Sequence, residues 1–326
     1  MPVNVPTSRA ALTVVAEFSA HYFLENLAVR SDNSILVTAM NQHELWFVPA
    51  QQGAAPETPT LIHNFAHPPT AIVEVMPDVF VVATSEIYAG TGSYLQRVDL
   101  RGWKPGDQPR VSDVCTFDDR ARALNGGCLV APDVMLVADS IAGLVWRVDL
   151  HEDGTALTPD VWLADVSMTQ DLRHPMKPPQ PGINGVRYDP RTQCVYYTST
   201  SRKLFMRVGV DPTTHAPSGS PQQVGGGTMA DDFCIDEEAG VAYITTHREN
   251  TIDRVALAGP VDQPRVIVAG DPLDERLLGP SSGAWGREPG QVGRVAFFTT
   301  DGGTTNPLPD GSVRTAKLLR LELLSE

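Results

Sequence analysis

Apolar residues along this chain come in short alternating bursts, not at helical spacing. Runs such as VFVVAT, VMLVAD, CVYYTS, VAYITT and VAFFTT are strand-length, β-branched or aromatic, and bounded by turn residues. No segment carries a helical period long enough to compete. Each run sits inside a larger unit that returns about every 45 to 60 residues, the length of a propeller blade. The unit is a small or polar start, an alternating strand, a turn, a β-rich strand ending in Ala/Thr-Ser/Asp, a short loop, and a strand closing near Arg-Val. Five copies are plain: Leu24–Pro49, Thr70–Leu100, Leu124–Leu150, Ile183–Val210 and Ala230–Leu257. A degenerate sixth runs from Ser281 to Leu324, with GAWG and VAFFTTDGG as its first two strands.

A further strand-like run follows each of the first five copies: Thr60–Phe65, Arg110–Phe117, Val161–Val166, Gln222–Val224 and Arg265–Ala269. These read as outer fourth strands. After Leu324 no room remains for one, so the N-terminal run Leu12–Phe18 is expected to supply it and close the ring. The pattern predicts an all-β protein, a six-bladed β-propeller formed by residues 1–326 as one domain. A blade cannot bury both of its faces alone, so the blades fold cooperatively.

In a blade the strands run outward from the axis, so every first strand starts beside the central channel on one face. The residues at those starts are Glu25, Thr70, Asn125, Asn184, Asp231 and Ser281 or Ser282, all with side-chain oxygens. Loops between second and third strands return to that face, carrying Asn41, His43, Tyr88, Ser140, Ser201, His247 with Arg248 and Glu249, and Asp301. Tyr88 belongs to an enlarged loop, Thr84–Gly92, and His174 to a long Pro-rich loop, Ser167–Gly182, that is expected to wall the pocket. Two carboxylates and two amides meeting in a channel are a hard, oxygen-only donor set. They predict a divalent metal ion, calcium foremost, with magnesium, manganese or zinc as the other candidates.

Composition narrows the partners. The formal charge is −14, with Lys and Arg scattered singly, so nothing is built to neutralise phosphates and nucleic acid is not an expected partner. The longest apolar runs, such as Val79–Ala83, are far too short to cross a bilayer, so no membrane role is expected. Met1–Ala11 is polar and lacks the apolar core of a signal peptide, which predicts a cytoplasmic protein. The chain has 4 cysteines, none in a CxxC spacing, which read as buried thiols; Cys115 and Cys128 flank one turn region where a pairing is conceivable. No GxSxG elbow, HExxH or Cys-His arrangement points to covalent catalysis.

At its axial residues the sequence resembles the senescence-marker-protein/gluconolactonase-like family of six-bladed propellers, over essentially the whole chain. The resemblance implies a metal held by Glu25 in LEN, Asn184 in INGV and Asp231 in ADDFCID, with Asp231 doubling as catalytic base. Asn125 in LNGG matches a family Asn near metal and substrate. The sequence departs from the family where EGP becomes Glu25-Asn26-Leu27 and PDG becomes Ala230-Asp231-Asp232. A substrate-gripping Arg of sugar lactonases is replaced by Ala123. The ENLAVR, LNG, ADS-AG and DDF-D pattern is closer to a subgroup of lactonase-like and fungal proteins that includes hetero-Diels–Alderases.

These readings lead to one expected function, metal-dependent hydrolysis of a lactone or related ester, a small-molecule substrate, at the central channel. Asp231 is the expected catalytic base; Glu25, Asn184 and Asp231 the metal ligands; Asn125, Tyr88, His247, Asp232 and His174 the substrate contacts. The alternative is a natural-product cyclase or isomerase, a hetero-Diels–Alderase-like pericyclase in the same pocket.

Overall fold

Six four-stranded antiparallel sheets surround a central axis, in a computed structural model that describes residues 10–273 and 275–324. Blade one comprises Leu24–Val29, Ile35–Ala39, Glu44–Val48 and Thr60–Asn64, in order from axis to rim. Blade two comprises Pro69–Met76, Val79–Glu86, Thr91–Asp99 and Arg110–Thr116, and blade three Leu124–Ala131, Val134–Asp139, Leu144–Asp149 and Asp160–Ala164. Blade four comprises Ile183–Asp189, Cys194–Ser199, Leu204–Val210 and Pro217–Gly226, and blade five Ala230–Asp236, Val241–Thr246, Thr251–Ala256 and Val266–Gly270. Blade six comprises Pro280–Trp285, Val295–Thr300 and Thr315–Leu323, with Ala10–Ala20 as its outermost strand.

The expected closure is present. Ala10–Ala20 pairs antiparallel with Thr315–Leu323, from Ala10 opposite Leu323 to Ala20 opposite Thr315. Val15 and Ala16 on this strand are fully buried. The core divides into six apolar clusters, one between each pair of neighbouring blades. Alternation explains this division: each sheet presents apolar side chains on both faces, and each face packs on the next blade. Trp146 is buried between blades two and three, as its third-strand position predicts. All four cysteines are free thiols, Cys128 and Cys234 buried, so Cys115 and Cys128 do not pair. No helix among the described residues is long and apolar enough to cross a membrane.

Every inner strand breaks register at its second residue. The pairing with the second strand shifts after Leu24, Pro69, Leu124, Ile183, Ala230 and Pro280. A bulge frees the residue at that point from the ladder and re-aims its side chain. Those residues are Glu25, Thr70, Asn125, Asn184, Asp231 and Ser281; four of them, Glu25, Asn125, Asn184 and Asp231, line a pocket on the axis, while Thr70 and Ser281 bond to carbonyls of the next blade. In four blades a threonine near the end of the second strand fills the gap, accepting the N–H just beyond the bulge: Thr38 from Asn26 (2.9 Å), Thr198 from Gly185 (3.0 Å), Thr245 from Asp232 (3.0 Å) and Thr299 from Ser282 (3.2 Å).

Hydroxyls also tie the blades together near the axis. Thr70 Oγ1 donates to the Leu124 carbonyl (2.8 Å), Ser140 Oγ to Ile183 (2.6 Å), Thr200 Oγ1 to Ala230 (2.8 Å) and Thr245 Oγ1 to Ser281 (2.9 Å). Ser281 Oγ donates to Leu24 and completes the join from blade six to blade one.

The Asn-Gly pairs have a steric cause. A Cβ on Gly185 would lie 2.3 Å from Asp232 Oδ1, and one on Gly126 would lie 2.6 Å from the Asn184 carbonyl. Glycine here permits the inner strands to approach. Gly185→Ala is expected to cost ~1–3 kcal/mol through overpacking. Gly53→Ala, with nothing within 4 Å of the new methyl, serves as control and shifts stability by about 0.5 kcal/mol or less. Urea unfolding of both variants measures the difference, and equal stabilities would remove the steric argument.

Candidate functional site

The bulges deliver four of the predicted residues to one pocket on the axis: Glu25, Asn125, Asn184 and Asp231 all line it. His247 and Tyr88 line it as well. His247 is the first residue after Val241–Thr246, and Asp301 occupies the same position after Val295–Thr300. Adjacent blades thus bring the two side by side. His247 Nδ1 lies 3.0 Å from Asp231 Oδ2, and Nε2 lies 3.1 Å from Asp301 Oδ2. Carboxylates only accept, so a ring facing one through each nitrogen donates from both and is an imidazolium.

Both ends of this bridge are anchored. Asp301 accepts from Gly303 N (2.7 Å), Thr305 N (3.0 Å) and Thr305 Oγ1 (2.5 Å). Asp231 Oδ1 accepts from Asn184 Nδ2 (2.5 Å), and the same amide donates to Thr200 Oγ1 (3.0 Å). The orientation of Asn184 follows from this network: Thr200 spends its one proton on the Ala230 carbonyl and so can only accept from the amide. Phe23 packs edge-on against the His247 ring at 5.2 Å between centroids.

Electrostatics sets these groups apart. Burial alone pulls the His247 pKa down, but the Asp301 charge and the hydrogen bonds to Asp231 and Asp301 outweigh it and raise it to about 9. Asp301 is held below the ordinary carboxylate range: its burial acts upward, and the adjacent imidazolium and the Thr305 hydrogen bonds overcome it. Glu25 goes the other way. Burial first, and then repulsion from Asp231, push its pKa well above the usual value, against the pull of His247. Its carboxyl makes no hydrogen bond to the described residues. Of the group, Glu25 is therefore the carboxyl whose charged form is most disfavoured.

The remaining predicted residues sit elsewhere. Asp232 lies one residue further along the inner strand and does not line the pocket. Its Oδ2 accepts from Arg187 Nη2, from Ser282 Oγ (2.6 Å) and, at 3.5 Å, from Asn26 Nδ2. It belongs to a lower layer of the channel, where Arg187 supplies the cation. His174 is half-buried in its loop, its Nδ1 3.4 Å from Met176 N, and it too is absent from the lining. That loop reaches the pocket through Gln180 and Pro181 instead. The expected loop Thr84–Gly92 is mostly strand: Val79–Glu86 and Thr91–Asp99 form a long hairpin with a turn at 87–90, pairing Glu86 with Thr91. Its length lifts Tyr88, 56 % exposed, over the pocket mouth.

Asp301 and Arg248 complete the site. Asp301 carries no sequence signal beyond its place after the second strand. Arg248 Nη2 donates to Gln180 Oε1 (2.8 Å), while its buried Nη1 has no hydrogen-bond partner among the described residues. The free space within the pocket is about 30 Å³, room for about two waters, with Tyr88 and Arg248 among the residues that line it.

The expected divalent cation needs its oxygen donors to converge. They do not, as arranged: Asp231 has one oxygen taken by His247 and the other by Asn184, which meets it through nitrogen. Among the described residues, no three or more His, Cys, Asp or Glu are arranged to hold an ion. The donor set does not fit a resident metal, because the His247 ring and the Asn184 amide nitrogen occupy both oxygens of its central carboxylate.

With fold and site in place, the class is clear: an all-β, six-bladed propeller with a pocket on its axis lined by carboxyl groups and a histidine. The same fold occurs in a luciferin-regenerating enzyme (TM-score 0.66, 14 % identity, covering 96 % of this chain and 95 % of that one). It occurs in regucalcin from Agrobacterium tumefaciens, described as a calcium-binding protein (TM-score 0.62, 15 % identity, 95 % and 94 % covered). It occurs also in a gluconolactonase from Xanthomonas campestris (TM-score 0.62, 13 % identity, 98 % and 92 % covered). These are the propellers that the axial motifs resemble, and at such identities the likeness is one of fold. No family model matches the sequence, and no curated protein matches it.

The raised His247 pKa makes a stability prediction. A group lifted on folding contributes stability that is complete below its unfolded value, 6.5, and lost as pH rises through about 9. Glu25 acts in the same direction. The thermal midpoint of the native protein is expected to fall between those two pH values. In a His247→Gln/Asp301→Asn double variant that decline shrinks; an unchanged slope would show that the imidazole bridge does not form.

Proposed function

We propose that the axial pocket hydrolyses a small lactone or a related ester. The observation that carries this reading is the presence of two buried carboxyl groups in different surroundings in one pocket. Burial and its neighbour's charge raise the Glu25 pKa, while Asp231 lies 3.0 Å from the His247 ring. Environments that separate two carboxyls in this way define an acid and a base.

In the proposed mechanism Asp231 orients a water with its remaining lone pairs and takes a proton as the water adds to the ester carbonyl carbon. Glu25 gives its proton to the alkoxy oxygen as the carbon–oxygen bond breaks. The product of a lactone is the open hydroxy acid, and Asp231 returns its proton to Glu25 through solvent. His247 and Asp301 fix the position of Asp231, and Asn184 holds its second oxygen. Arg248, through its free Nη1, is the donor available to a polar oxygen of the substrate at the mouth. The likeness in fold to a gluconolactonase supports the reaction class. Among the two readings from sequence, no observation in the site favours the cyclase.

Glu25→Gln and Asp231→Asn are each expected to lower kcat by about 10²–10⁴-fold on a responsive lactone or aryl ester. Arg248→Ala is expected to raise KM about tenfold, the worth of one charge-assisted hydrogen bond, with a smaller effect on kcat. A panel of γ- and δ-lactones assayed by proton release tests all three. Full turnover by both carboxyl variants would reject hydrolysis by this pair and favour a pocket that acts by orienting its substrate.

A further inference from the structure

We infer that His247 occupies the place of a divalent cation: its ring spans Asp231 and Asp301, one nitrogen to each, and so excludes metal ions from the axial site. This rests on the geometry of the charged cluster and is independent of the hydrolytic reading.

Three carboxyl groups meet near the channel mouth, Glu25, Asp231 and Asp301, with residue exposures of 6 %, 5 % and 0 %. Acids brought this close in a dry site need a positive charge among them. The candidates can be counted. Arg187 is committed to Asp232 in the layer below, and Arg248 is bonded to Gln180 at the rim. Among the cationic side chains of the described residues, His247 is the one that touches two of the three acids, one through each ring nitrogen. Its Nδ1 covers Asp231 Oδ2, an oxygen that an ion held by Asp231 and its neighbours would use. A cation seeking that oxygen meets the imidazole already there at 3.0 Å.

The imidazole is held by parts of the chain far apart in sequence. Asp301, its partner in blade six, is fixed by three donors from the turn that follows it. The seat for Asp301 requires glycine at 279: a Cβ there would fall 1.8 Å from Asp301 Oδ1, and φ at Gly279 is +63°. Phe23, preceding blade one, closes over the ring edge. Thr305 Oγ1 lies 3.2 Å from Nε2. A histidine restrained on every side is a fixed component of the site, not a mobile ligand that swings aside for an ion.

The test is ion binding, read without any substrate. Calcium, magnesium and manganese chlorides are titrated calorimetrically into the full chain, with thermal shift as a second readout. The native protein is expected to show no saturable binding into the millimolar range. His247→Gln, and the His247→Gln/Asp301→Asn variant that removes the imidazole together with one of its acids, are expected to gain one site. The gain is at least about tenfold in apparent affinity, and it disappears again when Asp231→Asn is added. The double variant keeps the test decisive if the single one fails to fold, since it leaves fewer uncompensated charges. Two results would overturn the inference: a stoichiometric ion on the native protein that Asp231→Asn abolishes, or a folded double variant as indifferent to ions as its parent. Either result leaves the question of hydrolysis to its own assay.

Discussion

The hydrogen bonds from hydroxyls on one blade to backbone carbonyls on the next fix everything else at the centre of this molecule. Apolar packing between blades is non-directional and would tolerate small rotations about the axis. The bonds from Thr70, Ser140, Thr200, Thr245 and Ser281 do not, because each links an inner strand, a second strand or the turn after it to a particular carbonyl on the inner strand of the next blade. They set the height of one inner strand against the next. The bulged residues beside them are thereby brought to a common level, and five segments of separate blades share a pocket only a few ångströms across.

That levelling has an electrostatic consequence. Successive residues of blade five, Asp231 and Asp232, fall into two layers, and each layer has its own cation: His247 above, Arg187 below. The lower pair, with Ser282 and Asn26, is closed in and structural. The upper group is open to the mouth and sets three acids against one imidazole, which touches two of them. Glu25 is the third, and burial and the Asp231 charge raise its pKa, which is the origin of the asymmetry between the two pocket carboxyls.

Much of this was legible from residue order. The repeat gave the blade count and the closing strand, because strand alternation and turn residues act locally. The axial residues were equally visible, since a blade can place only the start of its inner strand beside the channel. Partnership was not. Nothing in ADDFCID tells which acid faces the pocket and which faces Arg187; that depends on a bulge and on an arginine in another blade. His247 and Asp301 were placed on the right face, but their bridge is formed by side chains 54 residues apart. Tyr88 reaches the pocket lining on a different support from the expected one, a long hairpin instead of a loop, because bulged strand pairing continues past Thr84. His174 drew notice by residue type alone, whereas Gln180 in the same loop, a residue with no chemical signature, is the one that arrives.

The ring closes through Ala10–Ala20, the first strand of the chain, lying against Thr315–Leu323, the last. Asp301 hangs from the blade that this union completes. Two strands from opposite ends of the described residues must meet before this blade is complete, and contacts spanning this much sequence form slowly. The charged cluster at the hub includes Asp301 of that blade, which holds the His247 ring. The placing of imidazole and carboxylates at the centre is thus tied to the last join of the ring.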